Sequence, residues 1–191
     1  MIFPLLDETT APEGALEALA TTKKNFGMIP NVEKVMALAP KLLSGYAHMW
    51  DLFETTTLTP VERQVVYMTA NFENECGYCV PWHSMLAKNA GIKPSQVEAL
   101  RSAAPLADPK LEVLRGFTRS LIANRGKVSE ADLQVFFNVG YSDVQVLEVI
   151  LALSIKLISN YTNSVAGTPL DKEVEVLRWK KPVIQERVDG A

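Results

Sequence analysis

The sequence predicts an all-α protein. Apolar residues recur at three- and four-residue intervals along nearly the whole chain, a spacing typical of amphipathic helices. Proline, serine, threonine or aspartate opens most of these segments and glycine closes several, which are common helix start and stop signals. No alternation typical of strands is sustained before the segment EVEVLRW at 173–179. We therefore expect a helical structure through residue 170.

About seven or eight helices follow from these signals. The clearest start is at Thr59, which is a good N-cap followed by Pro60 and Glu62, in the order of a capping box. Gly27 and Gly91 are the clearest stops. In chain order, the segments that carry the pattern are 12–27, 39–54, 59–72, 80–91, 93–102, 108–126, 129–140 and 142–167.

The organisation predicted is one helical domain over 1–170 and a charged C-terminal tail over 171–191. The tail either wraps a neighbour or lies loosely. A weak internal echo relates 58–86 to 141–167 at an offset of 83 residues, so that Thr59 falls on Ser142 and Cys76 on Ser159. Each copy has a cap, a long apolar helix and a polar break around a tyrosine. This favours an internal duplication of a helical unit.

Composition narrows the function classes. The chain has 191 residues, 48% of them hydrophobic, and a net charge of −3. This gives no support for nucleic-acid binding or a polybasic membrane patch. The N-terminus lacks the cationic lead and apolar run of a signal peptide. The apolar segment 149–158 contains Lys156 and is too short to span a membrane. We expect a cytoplasmic protein.

Reactive side chains are concentrated in ECGYCVPWHS, residues 75–84. The segment holds the chain's only two cysteines, Cys76 and Cys79, and one of its two histidines, His83. Pro81 belongs in a first helical turn, so a helix should begin near 78–80 with Cys79 at its N-terminus. A helix N-terminus favours a thiolate, a histidine one turn away provides a proton partner, and a second thiol resolves a sulfenic acid. The spacing therefore indicates a redox site.

Four other interpretations of this segment are weaker. Cysteine is often a small buried hydrophobe, but the spacing to His83 argues against chance. A closed zinc site usually needs four protein ligands, and His48, the one other histidine, more plausibly packs or lies on the surface. A c-type haem needs histidine directly after the second cysteine, where Val80 stands. A thioredoxin-like site needs strands around it.

The segment LTPVERQVVYMTANFENECGYCVPWHSMLAKNAG, residues 58–91, resembles the core motif of the AhpD-like alkylhydroperoxidase and carboxymuconolactone decarboxylase superfamily. The shared pattern is a capped helix, C-x-Y-C, three residues, His and a glycine after the helix. The similarity extends weakly over 28–171. The cysteine pair favours the redox branch over the decarboxylases.

The resemblance implies an all-helical homo-oligomer, commonly a trimer or hexamer, with a dimer also open. It implies an antioxidant thiol peroxidase without haem, flavin or metal. In that role Cys79 attacks the hydroperoxide, Cys76 resolves the sulfenic acid and His83 relays protons. An external dithiol or disulfide reductase then reduces the disulfide.

One position departs from the family's pattern. Peroxidase members usually carry a glutamate twelve residues before the first cysteine, where this chain has Gln64. Candidate substitutes in the relay are Glu75 and Glu148, besides Gln64 itself. Two alternatives therefore stay open: a thiol-disulfide oxidoreductase without peroxide turnover, and a non-redox or sensor protein of the same fold.

Two aromatic residues beside the thiols are candidates for the wall of a substrate pocket. Tyr78 lies between the cysteines and Trp82 lies one residue before His83. Aromatic side chains near a helix start also serve in the core, so both interpretations remain open.

Overall fold

The computed structural model describes residues 3–183. Within this range the chain forms nine α-helices and one short 3₁₀ helix, with no strands, so the predicted all-α class is confirmed. The helices are α1 (Glu13–Phe26), α2 (Asn31–Met36), α3 (Pro40–Glu54), α4 (Pro60–Glu73), α5 (Cys79–Asn89), α6 (Pro94–Ser102), α7 (Pro109–Ala123), α8 (Glu130–Asn138) and α9 (Asp143–Ala166), and the 3₁₀ helix covers Lys172–Leu177.

Helix α4 is the centre of the fold. It packs against α5, α6, α7 and α9, and almost all of its side chains are buried. The predicted capping box starts it: the Thr59 hydroxyl accepts from the backbone N–H of Glu62 at 3.3 Å, and Glu62 accepts from the N–H of Thr59 at 2.8 Å. Satisfying these N–H groups fixes where α4 begins, and so helps to position the turn that follows α4.

Helix α9 lies across α3 and α4 and also opens on a capping box, at Ser142. By length and composition it is long and apolar enough to cross a membrane. In this fold it packs on α2, α3 and α4 through an inward face that carries the buried polar side chains of Lys156, Asn160 and Asn163.

Two elements were not predicted. Helix α2 has six residues and no capping side chain of its own; the Asp171 carboxylate accepts from its first N–H at 3.1 Å. The start of the predicted tail forms the 3₁₀ helix, where Val174 is fully buried. Residues 171–179 are therefore packed on the helices, whereas part of the predicted tail lies outside the described residues.

Candidate active site

Cys76 and Cys79 are joined as a disulfide in the turn between α4 and α5, with their Cα atoms 5.2 Å apart. The N–H of Cys76 donates to the Asn71 carbonyl of α4 at 2.9 Å. Cys79 is the first residue of α5, and its N–H donates to the Cys76 sulfur at 3.1 Å. Pro81 lies in the first turn, where its missing N–H costs nothing. Both sulfurs therefore lie at the positive end of a helix dipole.

Two side-chain amides converge on the Cys79 sulfur from α9. The Nδ2 atoms of Asn160 and Asn163 lie 3.0 Å and 3.2 Å from Cys79 Sγ. Asn163 Nδ2 is 3.9 Å from Cys76 Sγ, so the stronger contacts are to Cys79. Two N–H donors directed at one sulfur stabilise a thiolate there more than a neutral thiol.

The C-terminal end of α4 orients Asn160. Asn74 donates to its Oδ1 at 2.9 Å, and its own Nδ2 donates to Asn71 Oδ1, also at 2.9 Å. Because its oxygen is occupied, the amide must present its N–H₂ group to the sulfur. Three asparagines thus fix the polarity of this contact.

His83 connects Gln64 on α4 to Lys156 on α9. Its Nδ1 lies 2.9 Å from Gln64 Oε1, and its Nε2 lies 2.9 Å from Lys156 Nζ. A charged lysine is a donor only, so Nε2 accepts and the histidine carries its proton on Nδ1, which donates to Gln64. The chain Lys156–His83–Gln64 therefore has one consistent direction of hydrogen bonding.

Burial sets the protonation of this chain. Burial, and then the charge of Lys156, lowers the pKa of His83 well below its usual range. Burial lowers the pKa of Lys156 to about 7. At neutral pH the histidine is therefore neutral, and the proton that can move is carried by the lysine.

The His83 ring is held between aromatic side chains. Its centroid lies 4.9 Å from that of Tyr67 and 5.9 Å from that of Trp50. The Lys156 ammonium lies 5.0 Å from the Tyr67 ring centroid, so the ring face offers a weak cation–π contact. This packing holds both nitrogen-bearing side chains in place.

These groups line one cavity of about 360 Å³, within the usual size of small-molecule sites. Cys79, His83, Gln64 and Lys156 form one part of its wall. The remaining described residues in the wall are largely aromatic or polar: Thr21, Thr22, Asn25, Phe26, Pro30, Val32, Glu33, Tyr46, Ala47, Trp50, Asp51, Glu54, Tyr78, Trp82, Leu86, Ser159 and Asn163.

Tyr78 and Trp82 line this cavity and also hold the fold together there. The Tyr78 hydroxyl and Trp82 Nε1 both donate to Asp171 Oδ2, the latter at 2.9 Å. The same carboxylate caps α2, so Asp171 joins the thiol turn to α2. The polar ends of both aromatic side chains are thus satisfied, and their rings remain available as walls.

The two cysteines line different openings. Cys79 lines the cavity described above, whereas Cys76 lines a broader surface groove beside Asn160, Ser164 and Trp179. Trp179 is anchored by its Nε1, which donates to the Arg101 carbonyl at 2.8 Å. The cysteine pair therefore lies between two openings, with one cysteine lining each.

The predicted relay residues lie in different surroundings. Gln64 contacts His83, whereas the Glu75 side chain is exposed and forms an ion pair with Lys181 at 3.3 Å. Glu148 accepts from the N–H of Thr57 at 2.8 Å, near the start of α4. Among residues 3–183, neither glutamate is hydrogen-bonded to His83 or to a sulfur. The structure gives no contact that supports a relay through them.

Sequence reasoning missed the α9 and α2 contributions to the site. Lys156, Asn160 and Asn163 lie within an apolar helix, and their spacing of four and three puts them on one face. That spacing of polar side chains inside the longest apolar helix was the available signal. Glu33, on the unpredicted α2, had no such signal.

Solved structures with the same architecture confirm the predicted fold. An alkylhydroperoxidase AhpD core, described as an uncharacterized peroxidase-related protein from Ralstonia eutropha JMP134, superposes with a TM-score of 0.80 at 19% identity, covering 91% of this chain and 93% of that one. A peroxidase-related protein from Silicibacter sp. TM1040 has a TM-score of 0.77 at 21% identity, covering 91% and 92%. The debrominase Bmp8, as a cysteine-to-alanine variant in complex with 2,3,4-tribromopyrrole, has a TM-score of 0.76 at 14% identity, covering 92% and 94%.

These likenesses show that the chain has an AhpD-like helical fold. Residues 40–120 match the carboxymuconolactone decarboxylase family, which confirms the resemblance predicted from the motif. Among curated proteins, none matches the chain.

Proposed function

We propose that the chain is a thiol-dependent hydroperoxide reductase in which Cys79 is the peroxidatic thiol. The observation that carries the proposal is the setting of Cys79 Sγ. It accepts from two amides and lies in the wall of the cavity that also contains Lys156. The peroxidase-related solved structures support the same chemistry at the level of the fold.

The first step consumes the hydroperoxide. In the reduced protein the Cys79 thiolate attacks the terminal peroxide oxygen, so that an S–O bond forms and the O–O bond breaks. The leaving alkoxide takes a proton from the Lys156 ammonium and departs as the alcohol. His83 holds that ammonium in place through Nε2. General acid assistance of this kind typically contributes about 10²–10⁴-fold.

The second step forms the disulfide. The Cys76 thiol attacks the sulfenic sulfur of Cys79; the S–S bond forms and the hydroxide leaves as water with the thiol proton. The 5.2 Å separation of the Cα atoms allows this bond without moving the backbone. The hydroperoxide has then been reduced by two thiols to alcohol and water.

An external dithiol restores the thiols. Its thiolate attacks Cys76, the sulfur that lines the surface groove, and Cys79 leaves as the amide-stabilised thiolate. The better-stabilised thiolate is the better leaving group. Peroxide and reductant thus use different openings of the protein.

Turnover of an organic hydroperoxide with a dithiol tests the proposal. We expect Cys79→Ser to abolish turnover, and Cys76→Ser to leave one rapid round that ends in sulfenic acid on Cys79, detectable by mass spectrometry. The matched pair separates the two roles because both variants remove one sulfur from the same turn. The reverse pattern would reassign the nucleophile.

The same assay distinguishes the alternatives. Reduction of a disulfide substrate without peroxide turnover would indicate a thiol-disulfide oxidoreductase. Inert thiols would indicate a non-redox or sensor protein. Consumption of 2,3,4-tribromopyrrole instead of hydroperoxide would point to chemistry like that of the debrominase.

We also propose a homo-oligomer, formed through the outer face of α9. An exposed apolar stripe runs along that helix: Val144, Leu147, Ile150, Leu157, Tyr161 and Val165. An apolar surface of this length on one helix is typical of an interface. Light scattering should give a multiple of the monomer mass, and Leu147→Glu should lower it; a monomeric wild-type protein would contradict the proposal.

A further inference from the structure

Among residues 3–183, Glu33 forms no hydrogen bond or ion pair that explains its burial. Its residue surface is 8% exposed, and its Oε2 atom is buried without a hydrogen-bond partner among the described residues. It does not cap α2, because the Asp171 carboxylate accepts from that helix's first N–H. A buried carboxyl oxygen without a partner is costly, and such groups are concentrated at functional sites.

The Glu33 side chain lines the same cavity as Cys79. Burial is the largest effect on Glu33 and raises its pKa to about 7. The nearby Thr22 side chain favours the charged form of Glu33, and the Asp171 carboxylate disfavours it. At neutral pH the residue therefore exists as both acid and carboxylate. Either form hydrogen-bonds a hydroxyl group.

The charges of the cavity disfavour anions. Its described lining includes the carboxylates of Glu33, Asp51 and Glu54, against the single lysine Lys156. Glu54 is partly neutralised by Arg63 at 3.2 Å. Aromatic rings from Tyr46, Trp50 and Trp82 supply apolar surface between these groups. A neutral molecule with an apolar body fits this lining better than a carboxylate.

We propose that Glu33 binds a hydroxyl group that the substrate carries in addition to its hydroperoxide group. The substrate class is a small, neutral organic hydroperoxide with an apolar or aromatic body and one hydroxyl substituent. The hydroperoxide part rests on the proposed function. The hydroxyl contact stands on Glu33 alone, and it gives the unpartnered oxygen its missing hydrogen bond.

A matched series of ligands tests the contact without catalysis. The three ligands are cumyl alcohol, its hydroxymethyl analogue 2-phenylpropane-1,2-diol, and its carboxylate analogue atrolactate. They share one aromatic body and differ only in one group on the carbinol carbon, which is methyl, hydroxymethyl or carboxylate. Binding to the disulfide form is followed by the fluorescence of Trp50 and Trp82, which line the cavity. We expect the hydroxymethyl analogue to bind about tenfold or more tightly than cumyl alcohol, the size of one hydrogen bond to a charged group. Atrolactate should bind most weakly.

Two variants test whether Glu33 causes the preference for the hydroxymethyl analogue. Glu33→Leu should abolish the preference for the hydroxymethyl analogue. Glu33→Gln keeps an acceptor and a donor, so it should retain most of that preference while weakening the discrimination against atrolactate. Equal affinities in the wild-type protein, or an unchanged preference in Glu33→Leu, would overturn the proposal. Circular dichroism establishes that each variant is folded, and Glu33→Gln provides the test if Glu33→Leu is not.

Turnover of cumene hydroperoxide with a dithiol separates this inference from the proposed function. Selective binding without turnover would reject the peroxidase and retain the hydroxyl site. Turnover without selective binding would retain the peroxidase and reject the site.

Discussion

The cavity has two walls of different origin. The wall formed by α4 and α5 brings Gln64, Cys79 and His83 from one contiguous motif, whereas α9 brings Lys156 and Asn163 from the far end of the chain. In the proposed reaction, the first wall carries the sulfur that attacks the hydroperoxide. The second wall carries the donors that stabilise its thiolate and protonate the leaving group. Under this proposal the motif indicates the reaction class, and α9 sets the rate of the reaction.

Among changes to this second wall, removing Lys156 should have the largest effect on turnover. We expect Lys156→Met to lower peroxidase turnover by about 10²–10³-fold, within the usual range for general acid catalysis. The loss should be much smaller with peracetic acid, since acetate leaves without a proton. If Lys156 had a purely structural role, the variant would lower the turnover rates with both substrates equally. The ratio of the two rates therefore decides between the two roles.

The Lys156→Met substitution should also change how the free energy of unfolding depends on pH. Because the folded-state pKa of Lys156 is lowered to about 7, the unfolded chain binds more protons between pH 7 and the ordinary lysine pKa of 10.5. The free energy of unfolding of the wild-type protein should therefore rise with pH across that window. In Lys156→Met that rise should be lost, and the protein should be more stable at pH 7. Urea unfolding at several pH values checks this and shows that the lost turnover is not lost folding.

The sequence predicted the first wall well, for local reasons. Thr59, Pro60 and Glu62 determine the start of α4 through contacts three residues apart, and Pro81 determines the start of α5. Such signals are visible along the chain. Helix α2 is different, because its cap, Asp171, is 140 residues away. No local sequence pattern predicts a helix that is capped by a distant side chain.

The polar face of α9 was missed for a related reason. Lys156 is surrounded in sequence by isoleucine, leucine and serine, and resembles an interruption of an apolar run. Its proposed role follows from its contact with His83, which is 73 residues earlier. The proposed domain boundary after residue 170 and the internal duplication stay predictions.

Removing a side-chain amide of α9 should have a smaller effect on the reaction than removing Lys156. We expect Asn163→Leu, which is similar in size, to raise the pKa of the reduced Cys79 thiol by about one to two pH units, the worth of one hydrogen bond to a charged group. The pH dependence of iodoacetamide alkylation measures it. Asn163 Oδ1 has no partner among residues 3–183, so the change leaves no other side chain unsatisfied. An unchanged thiol pKa would mean that the amide contacts do not matter in the reduced protein.

The smallest expected effect is at Gln64, where the two walls meet through His83. A glutamate there would accept the same Nδ1–H, now at 2.9 Å from Gln64 Oε1, and its charge would raise the pKa of His83 towards the usual range. We expect Gln64→Glu to raise turnover at neutral pH by about tenfold, less than general acid–base catalysis usually contributes, because Lys156 already supplies a proton. Gln64→Met, which has no acceptor, is the matched control and should not gain.

A competing effect in Gln64→Glu can be separated kinetically. The new carboxylate also disfavours thiolates nearby, which would slow resolution by Cys76. A gain through His83 appears as faster steady-state turnover, whereas slower resolution appears as sulfenic acid accumulating on Cys79. Cys79→Ser should remove activity in either background. If Gln64→Glu alters neither the rate nor the intermediate, protonation passes through Lys156 alone, and the contact between Gln64 and His83 only orients the imidazole ring.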